Sequence, residues 1–209
     1  MLPFATRLRK NPIIPVLAIP NIECAEPLAI ALEKGGLEFI EVTLRTECAI
    51  DAIKVMKEAC PSLKVGAGTI LTEGDIDACM KVGADFIVTP GTSPRLREAL
   101  IDLDCDVMVG VTTTTEVMSR LEEGFGVLKF FPAEQFGGAG TLKAFQGPLK
   151  HAQFCPTGGI TYDKIPTYLA LSNVVACGGS WIANEEMMLK GEWDKIEANA
   201  KLAAGFKQA

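Results

Sequence analysis

The sequence contains a single histidine, His151, and this restricts the catalytic sites that it can build. Zinc-type centres usually use two or three histidine ligands, so we expect no metal site. A Ser-His-Asp triad would have to use this one residue as its base, and no nucleophile-elbow motif accompanies it. The chemistry of this chain is therefore expected to come from other side chains.

Basic residues are also fewer than acidic ones. The chain has 20 lysines and arginines and 26 aspartates and glutamates, which gives a net charge of −6. A nucleic-acid surface needs a basic face, so we expect no nucleic-acid partner. The seven cysteines are odd in number and no two of them form a C-x-x-C pair. They are interpreted as reduced thiols packed as small apolar residues, which suits a cytoplasmic protein.

The chain has no convincing membrane or targeting segment. Residues 165–184 carry no charge, but they contain Pro166, Gly178 and Gly179 and are predicted to form helix, loop, strand and loop. Residues 1–10 are basic, yet no apolar segment follows them, so no signal peptide is predicted. No linker or low-complexity stretch divides the 209 residues, which we expect to form one domain over 1–209.

Short apolar runs alternate with segments of helical periodicity along the whole chain. The predicted strands cover 13–19, 37–43, 64–69, 85–89, 106–111, 126–131, 153–156 and 174–177. The predicted helices cover 2–10, 23–34, 47–59, 73–82, 93–102, 115–123, 141–146, 162–171 and 193–206. Eight strand–helix units predict an α/β fold, a (β/α)8 TIM barrel with a short N-terminal helix, and an open doubly wound sheet is the alternative.

Lys129 lies inside the apolar strand 126–131, just before Pro132. Lysine is rarely buried without a partner or a purpose, and burial favours its neutral form. A neutral amine attacks a carbonyl and forms a Schiff base, so Lys129 is a candidate nucleophile. The alternative is a structural lysine whose stem packs while its head reaches water or pairs with an acid.

Polar residues at the strand ends add candidates, because barrel active sites lie at the carboxyl ends of the strands. Alternation turns Phe39, Glu41 and Thr43 inward and Ile40 and Val42 toward the helices. An inward carboxylate is costly unless paired or used, so Glu41 is predicted either to transfer protons or to form a structural ion pair with Arg45 or Lys129.

A glycine pair follows each of the last two predicted strands. Thr157 precedes Gly158 and Gly159, and Ser180 follows Gly178 and Gly179. Backbone amides in such loops cradle phosphates, and barrels commonly place a phosphate site after strands 7 and 8. Lys129 would supply a nucleophile, Glu41 a group for proton transfer, and Arg45 with Thr69 the contacts to a carboxylate. Together with the phosphate cradle, they suggest Schiff-base carbon–carbon chemistry on a phosphorylated keto acid.

Five segments carry a family resemblance: residues 41–47, 66–69, 129–134, 156–160 and 178–181. In order and spacing they closely resemble the bacterial 2-keto-3-deoxy-6-phosphogluconate (KDPG) aldolases, which also act as 4-hydroxy-2-oxoglutarate (KHG) aldolases. The likeness runs from about residue 15 to residue 193. It implies a (β/α)8 barrel, a class I aldolase without a cofactor, the Entner–Doudoroff pathway, and a homotrimer whose ligands are a phosphorylated keto acid, pyruvate and an aldehyde.

The resemblance also implies roles for individual residues. Lys129 resembles the Schiff-base lysine, Glu41 the general acid/base, and Arg45 and Thr69 the contacts to the pyruvate carboxylate. It further implies phosphate contacts from Gly158, Gly159, Gly179 and Ser180, and a pocket lined by Pro90, Phe131 and Thr157.

Residues 18–22 lack the arginine found near this position in relatives that cleave the galacto-configured substrate, which favours the gluconate substrate. Two other interpretations stay open at this point. One is a metal-free sugar-phosphate isomerase or epimerase barrel, and the other is a non-enzymatic metabolite-binding barrel.

Overall fold

A computed structural model of the protein describes residues 3–206. Within that range the strands are β1 (Ile13–Leu17), β2 (Phe39–Thr43), β3 (Lys64–Gly68), β4 (Phe86–Val88), β5 (Asp106–Val111), β6 (Val127–Phe130), β7 (Phe154–Pro156) and β8 (Cys177–Gly179). The helices are α1 (Phe4–Lys10), α2 (Ala25–Lys34), α3 (Ala49–Ala59), α4 (Glu73–Lys81), α5 (Pro94–Ile101), α6 (Thr114–Glu122), α7 (Gly138–Phe145), α8 (Ile165–Leu169), α9 (Glu185–Leu189) and α10 (Trp193–Ala204).

All eight strands are parallel and follow one another around a single sheet in chain order, with β8 beside β1. Bridges between Phe154 and Val174 and between Thr157 and Gly178 join β7 to the β8 segment and close the ring. The predicted (β/α)8 barrel is thereby confirmed, because an open doubly wound sheet would leave two edges and reverse its strand order.

The predicted alternation along β2 is also confirmed. Phe39 belongs to the cluster of buried side chains inside the barrel, whereas Ile40 and Val42 belong to the larger cluster between strands and helices. Leu8 of α1 is fully buried in the interior cluster, and the Phe4 ring packs 6.2 Å from Phe39. Helix α1 therefore covers the amino-terminal end of the barrel and leaves the opposite end for polar side chains.

Several helices begin where the sequence supplies a capping residue. Thr72 caps α4 by accepting from the amide of Asp75, and Thr113 caps α6 by accepting from the amide of Glu116. In both cases the acidic side chain bonds back to the amide of the threonine, which forms a complete capping box. These caps satisfy amides that the first helical turn leaves without partners.

Some predicted boundaries were wrong. The last strand was predicted at 174–177, but β8 spans Cys177–Gly179 because the register with β1 pairs Ile13 with Cys177 and Pro15 with Gly179. The pair Gly178-Gly179 thus lies inside this strand and does not follow it. Helix α9 was missed, α7 begins at Gly138 instead of residue 141, and α10 ends at Ala204.

The predicted N-terminal helix is observed from Phe4, and its predicted start at residue 2 lies outside the described residues. The uncharged run 165–184 forms α8, a loop and β8, as predicted. Across residues 3–206, the structure contains no helix with the length and hydrophobicity that a membrane crossing requires.

Candidate active site

Lys129 and Glu41 form an ion pair in the barrel interior. Lys129 projects from β6 with 4% of its surface exposed, and Glu41 projects from β2 with 2% exposed. The Lys129 Nζ donates a hydrogen bond to Glu41 Oε1 over 2.9 Å. Of the two partners considered for Glu41 from the sequence, the structure selects Lys129. The contact places a carboxylate at proton-transfer distance from an amine, away from bulk water.

Glycines make room for this pair. A Cβ built on Gly68 would lie 2.1 Å from Glu41 Oε1, so the carboxylate rests against the bare backbone at the end of β3. Gly110 is the β5 neighbour of Lys129 in the sheet register, and a Cβ on it would lie 2.1 Å from the backbone of Pro90. Any larger residue at these two positions would displace the pair or the loop beside it.

A cavity of about 420 Å³ opens above the carboxyl ends of the strands. Most of its wall comes from the ends of β1 and β2 and from the loops around β7 and β8, and Phe131 contributes from the segment after β6. Lys129 and Glu41 lie outside this wall, but the Lys129 Nζ lies 5.3 Å from the centroid of the Phe131 ring. Phe131 therefore lies between the buried pair and the cavity, and its predicted contact with a ligand stays a prediction.

Arg45 and Thr43 line the same cavity. Arg45 is exposed in the turn after β2, and within residues 3–206 its guanidinium has no ion-pair partner, which leaves its donors available to an anionic ligand. Thr43 is buried and donates from its Oγ1 to the carbonyl oxygen of Leu17 over 2.9 Å. That bond ties β2 to the end of β1 beneath the cavity.

The predicted phosphate contacts share one side of the cavity, which Thr157, Gly158, Gly159, Gly178, Gly179 and Ser180 line together. Gly158 and Gly159 have φ values of 105° and 74°, a left-handed conformation that glycine adopts without strain. Thr157 is buried, and its amide donates to the carbonyl of Phe130 over 2.9 Å. The two glycine segments, separated by about twenty residues in the sequence, thus meet at one edge of the barrel.

Thr69 and Pro90 lie away from that wall. Thr69 follows β3 directly after Gly68 and has a φ of 63°, which is strained for a β-branched residue. Pro90 follows β4 and packs its backbone against Gly110, next to Lys129. Neither residue lines the cavity, and their predicted contacts with a ligand stay predictions.

Cys155 is the β7 neighbour of Lys129 in the sheet register. Burial raises the pKa of its thiol to about 12, and the negative charge of Glu41 acts in the same direction. The thiol therefore stays protonated beside the pair and adds no second negative charge. No group of three or more His, Cys, Asp or Glu side chains suited to a metal ion occurs among the residues that the structure describes.

The sequence analysis missed part of the cavity wall. Asn184 and Glu185 line it from the start of α9, the helix that was not predicted. Asn184 caps α9 by accepting from the amide of Met187 over 2.9 Å. The signal was present in the sequence, since asparagine followed by two glutamates is a typical helix start.

The chain is similar to known proteins over most of its length. A family model described as "KDPG and KHG aldolase" matches residues 4–199. The chain belongs to this aldolase family. A 2-dehydro-3-deoxy-phosphogluconate aldolase from Zymomonas mobilis is 42% identical over 202 residues, which cover 97% of this chain and 95% of that protein.

Two further relatives have names that bear on the chemistry. A KHG/KDPG aldolase from Escherichia coli is 39% identical over 196 residues, covering 94% of this chain and 92% of that protein. A crystal structure of KDPG aldolase from Legionella pneumophila contains pyruvate captured at low pH as a covalent carbinolamine intermediate. It matches with 38% identity and a TM-score of 0.91 over 94% of this chain and 96% of that one. The family resemblance read from the five sequence segments is thereby confirmed.

Proposed function

We propose that this member of the aldolase family cleaves KDPG to pyruvate and glyceraldehyde 3-phosphate through a Schiff base on Lys129. It also cleaves KHG to pyruvate and glyoxylate. The observation that carries the proposal is the buried contact of 2.9 Å between Lys129 Nζ and Glu41 Oε1 beneath the cavity. The covalent pyruvate adduct of the Legionella pneumophila relative supports the same type of chemistry.

In this mechanism the amine form of Lys129 adds to the C2 ketone, and loss of water gives an iminium. Glu41 accepts the proton of the C4 hydroxyl, directly or through a water molecule, and the electrons of the C3–C4 bond move into the iminium. Glyceraldehyde 3-phosphate leaves. Protonation of the resulting enamine at C3 and hydrolysis of the imine then release pyruvate and free Lys129.

The cavity supplies the binding groups for the two ends of the substrate. In this proposal Arg45, which lines the cavity, holds the carboxylate through its fork of donors, and Thr69 is the predicted second contact. The amides around Gly158, Gly159 and Gly179, with Ser180, form the predicted phosphate cradle. Phe131 and Thr157 line the space between them, and Pro90 is a further predicted pocket residue that lies outside this wall.

The proposal extends to the setting of the enzyme: a cytoplasmic homotrimer that serves the Entner–Doudoroff pathway and uses no cofactor. Large apolar side chains on the surface, such as Leu71 with 57% and Phe136 with 51% exposed, support an oligomer because association would cover them. Analytical ultracentrifugation tests this part, and a monomer at micromolar concentration would contradict it.

The mechanism is tested by borohydride reduction in the presence of pyruvate, followed by peptide mass mapping. We expect a stable adduct of pyruvate size on Lys129 and no adduct in a Lys129→Met variant. A folded protein without any adduct would exclude the Schiff-base route and favour the alternative of a metal-free isomerase. Turnover of KDPG and KHG by the same preparation then ranks the two substrates.

A further inference from the structure

Glu134 has no part in the chemistry proposed above, yet it makes the shortest side-chain hydrogen bonds of the loop after β6. It lies five residues beyond Lys129, in the same segment of the sequence. Its Oε2 accepts a hydrogen bond from Lys164 Nζ over 2.5 Å, and its Oε1 accepts one from the hydroxyl of Tyr168 over 2.5 Å. Lys164 directly precedes α8, and Tyr168 lies within it.

These contacts span the glycine pair. The chain runs from Gly158 and Gly159 into α8. The side chain of Glu134 binds the α8 end of this connection, and the backbone around Glu134 binds the β7 end. The amide of Ala133 donates to the carbonyl of Thr157 over 2.8 Å, and the amide of Glu134 donates to the carbonyl of Gly158 over 3.2 Å. Two backbone hydrogen bonds and the side chain of Glu134 therefore join the loop after β6 to the segment between β7 and α8.

The side chain of Glu134 also packs against Gly159. A Cβ on Gly159 would lie 3.0 Å from both Cβ and Cγ of Glu134, so the two segments touch without an intervening side chain. In a planar trans peptide the C=O and N–H groups point in opposite directions. Because the carbonyl of Gly158 points to the amide of Glu134, the amide of Gly159 points away from Glu134. Within the described residues, this amide has no hydrogen-bond acceptor.

The contact is an ionic one. The hydrogen bonds from Lys164 and from Tyr168 hold the pKa of Glu134 below its ordinary value, so the carboxylate is charged near neutral pH. Burial, together with the bond to Glu134, raises the pKa of Tyr168, so the phenol keeps the proton that it donates. Tyr168 is 1% exposed, which anchors the contact in the core.

We propose that Glu134 is a positioning residue that aligns the phosphate cradle with the strand carrying Lys129. It binds Lys164 and Tyr168 and thereby fixes the orientation of the peptide between Gly158 and Gly159. This inference rests on the proposed function, since it assumes that these amides receive the phosphate of the substrate. Glu134 touches neither the phosphate nor the reacting carbons.

The test compares a substrate that has a phosphate with one that lacks it. We expect Glu134→Ala to raise KM for KDPG about tenfold, equivalent to about 1.4 kcal/mol. KM for KHG should stay within about twofold of the wild-type value, and kcat should change little for both. Tyr168→Phe, which removes only the hydroxyl, should shift KM in the same direction by a smaller factor.

Glu197→Ala is the matched control. Glu197 pairs with Lys201 on α10, and its side chain is 25% exposed against 27% for Glu134. A general loss of one surface ion pair would affect both variants alike, so the control should keep the wild-type KM for both substrates. Thermal unfolding of each variant establishes that the fold is retained.

Three outcomes would overturn the proposal: an unchanged KM for KDPG, an equal increase in KM for both substrates, or a lower KM for KDPG in Glu134→Gln. The last would mean that Glu134 acts by neutralising Lys164 and not by aligning the cradle. Borohydride trapping with pyruvate separates this result from failure of the proposed function. Trapping should remain at the wild-type level in Glu134→Ala, whereas its absence in the wild-type protein would exclude the Schiff base itself.

Discussion

Replacing Gly68 with alanine would test whether the position of the Glu41 carboxylate controls catalysis. The new methyl group would lie 2.1 Å from Glu41 Oε1 and 2.7 Å from Cδ and Cγ, whereas ordinary contact begins at 3.4 Å. The carboxylate must therefore move by about 1.3 Å, the difference between the two distances. The variant leaves both Lys129 and Glu41 chemically intact, which separates geometry from chemistry.

The magnitude follows from the contact that this shift disturbs. The Lys129 Nζ–Glu41 Oε1 distance is 2.9 Å, and a shift of this size takes it beyond about 3.5 Å unless the ammonium follows. Misplacement by about 1 Å costs roughly 10²-fold in rate at well-aligned sites, so we expect kcat for KDPG cleavage to fall about 100-fold. Overpacking costs about 1–3 kcal/mol, which lowers Tm by about 2–12 °C for a domain of this size.

Gly126→Ala is the control, because a Cβ at Gly126 would meet no atom within 4 Å and the residue directly precedes the same strand as Lys129. Its kcat and Tm should stay close to those of the wild-type protein. The assay couples pyruvate release to an NADH-dependent dehydrogenase. If Gly68→Ala kept kcat within about twofold of Gly126→Ala while its Tm fell, the displaced carboxylate would not be the proton-transfer group.

Three further predictions concern charged side chains. Lys129→Met should abolish turnover and lower the free energy of unfolding by about 3–5 kcal/mol, because it leaves Glu41 as a buried charge without a partner. Adding Glu41→Gln should restore part of that stability in chemical denaturation but no activity, and a double variant no more stable than the single one would contradict this. Arg45→Lys should raise KM for KDPG and for KHG, since both contain the carboxylate and lysine lacks the bidentate fork, and an unchanged KM would remove Arg45 from the site. Because the hydrogen bond from Lys164 lowers the pKa of Glu134 below 4.5, its stabilising contribution is present above that pH and is lost as the pH falls below it. The difference in Tm between wild type and Glu134→Gln should thus shrink from pH 7 to pH 3, and a constant difference would show that the charge does not matter.

Much of the barrel could be predicted from local patterns. The inward direction of Phe39 and Glu41 on β2 followed from the two-residue period of a strand, which depends on no distant contact. The eight strands followed from apolar runs separated by helical segments, since a parallel sheet is buried on both faces. A lysine within such a run indicated a functional residue because burying its charge is costly, and Lys129 is indeed buried.

Other features depend on residues far apart in the chain. The limits of β8 are set by its register with β1, more than 160 residues earlier, so the apolar run 174–177 predicted the wrong bounds. Helix α9 was not predicted because a segment of five residues is too short to display a helical period. The contact of Glu134 with Lys164 and Tyr168 joins the loop after β6 to helix α8, about 30 residues later, and left no local signal in the sequence.

The sequence by itself therefore determined the fold class, the alternation of buried and inward side chains, and the residue types available for chemistry. These properties arise from backbone periodicity and from the cost of burying charge, and both act within a few neighbouring residues. Only the tertiary structure decided that Glu41 pairs with Lys129 and not with Arg45, and that Gly68 leaves room for its carboxylate. Closure of the barrel brings together strands that are distant in the chain, and the distances across its interior depend on all eight of them at once.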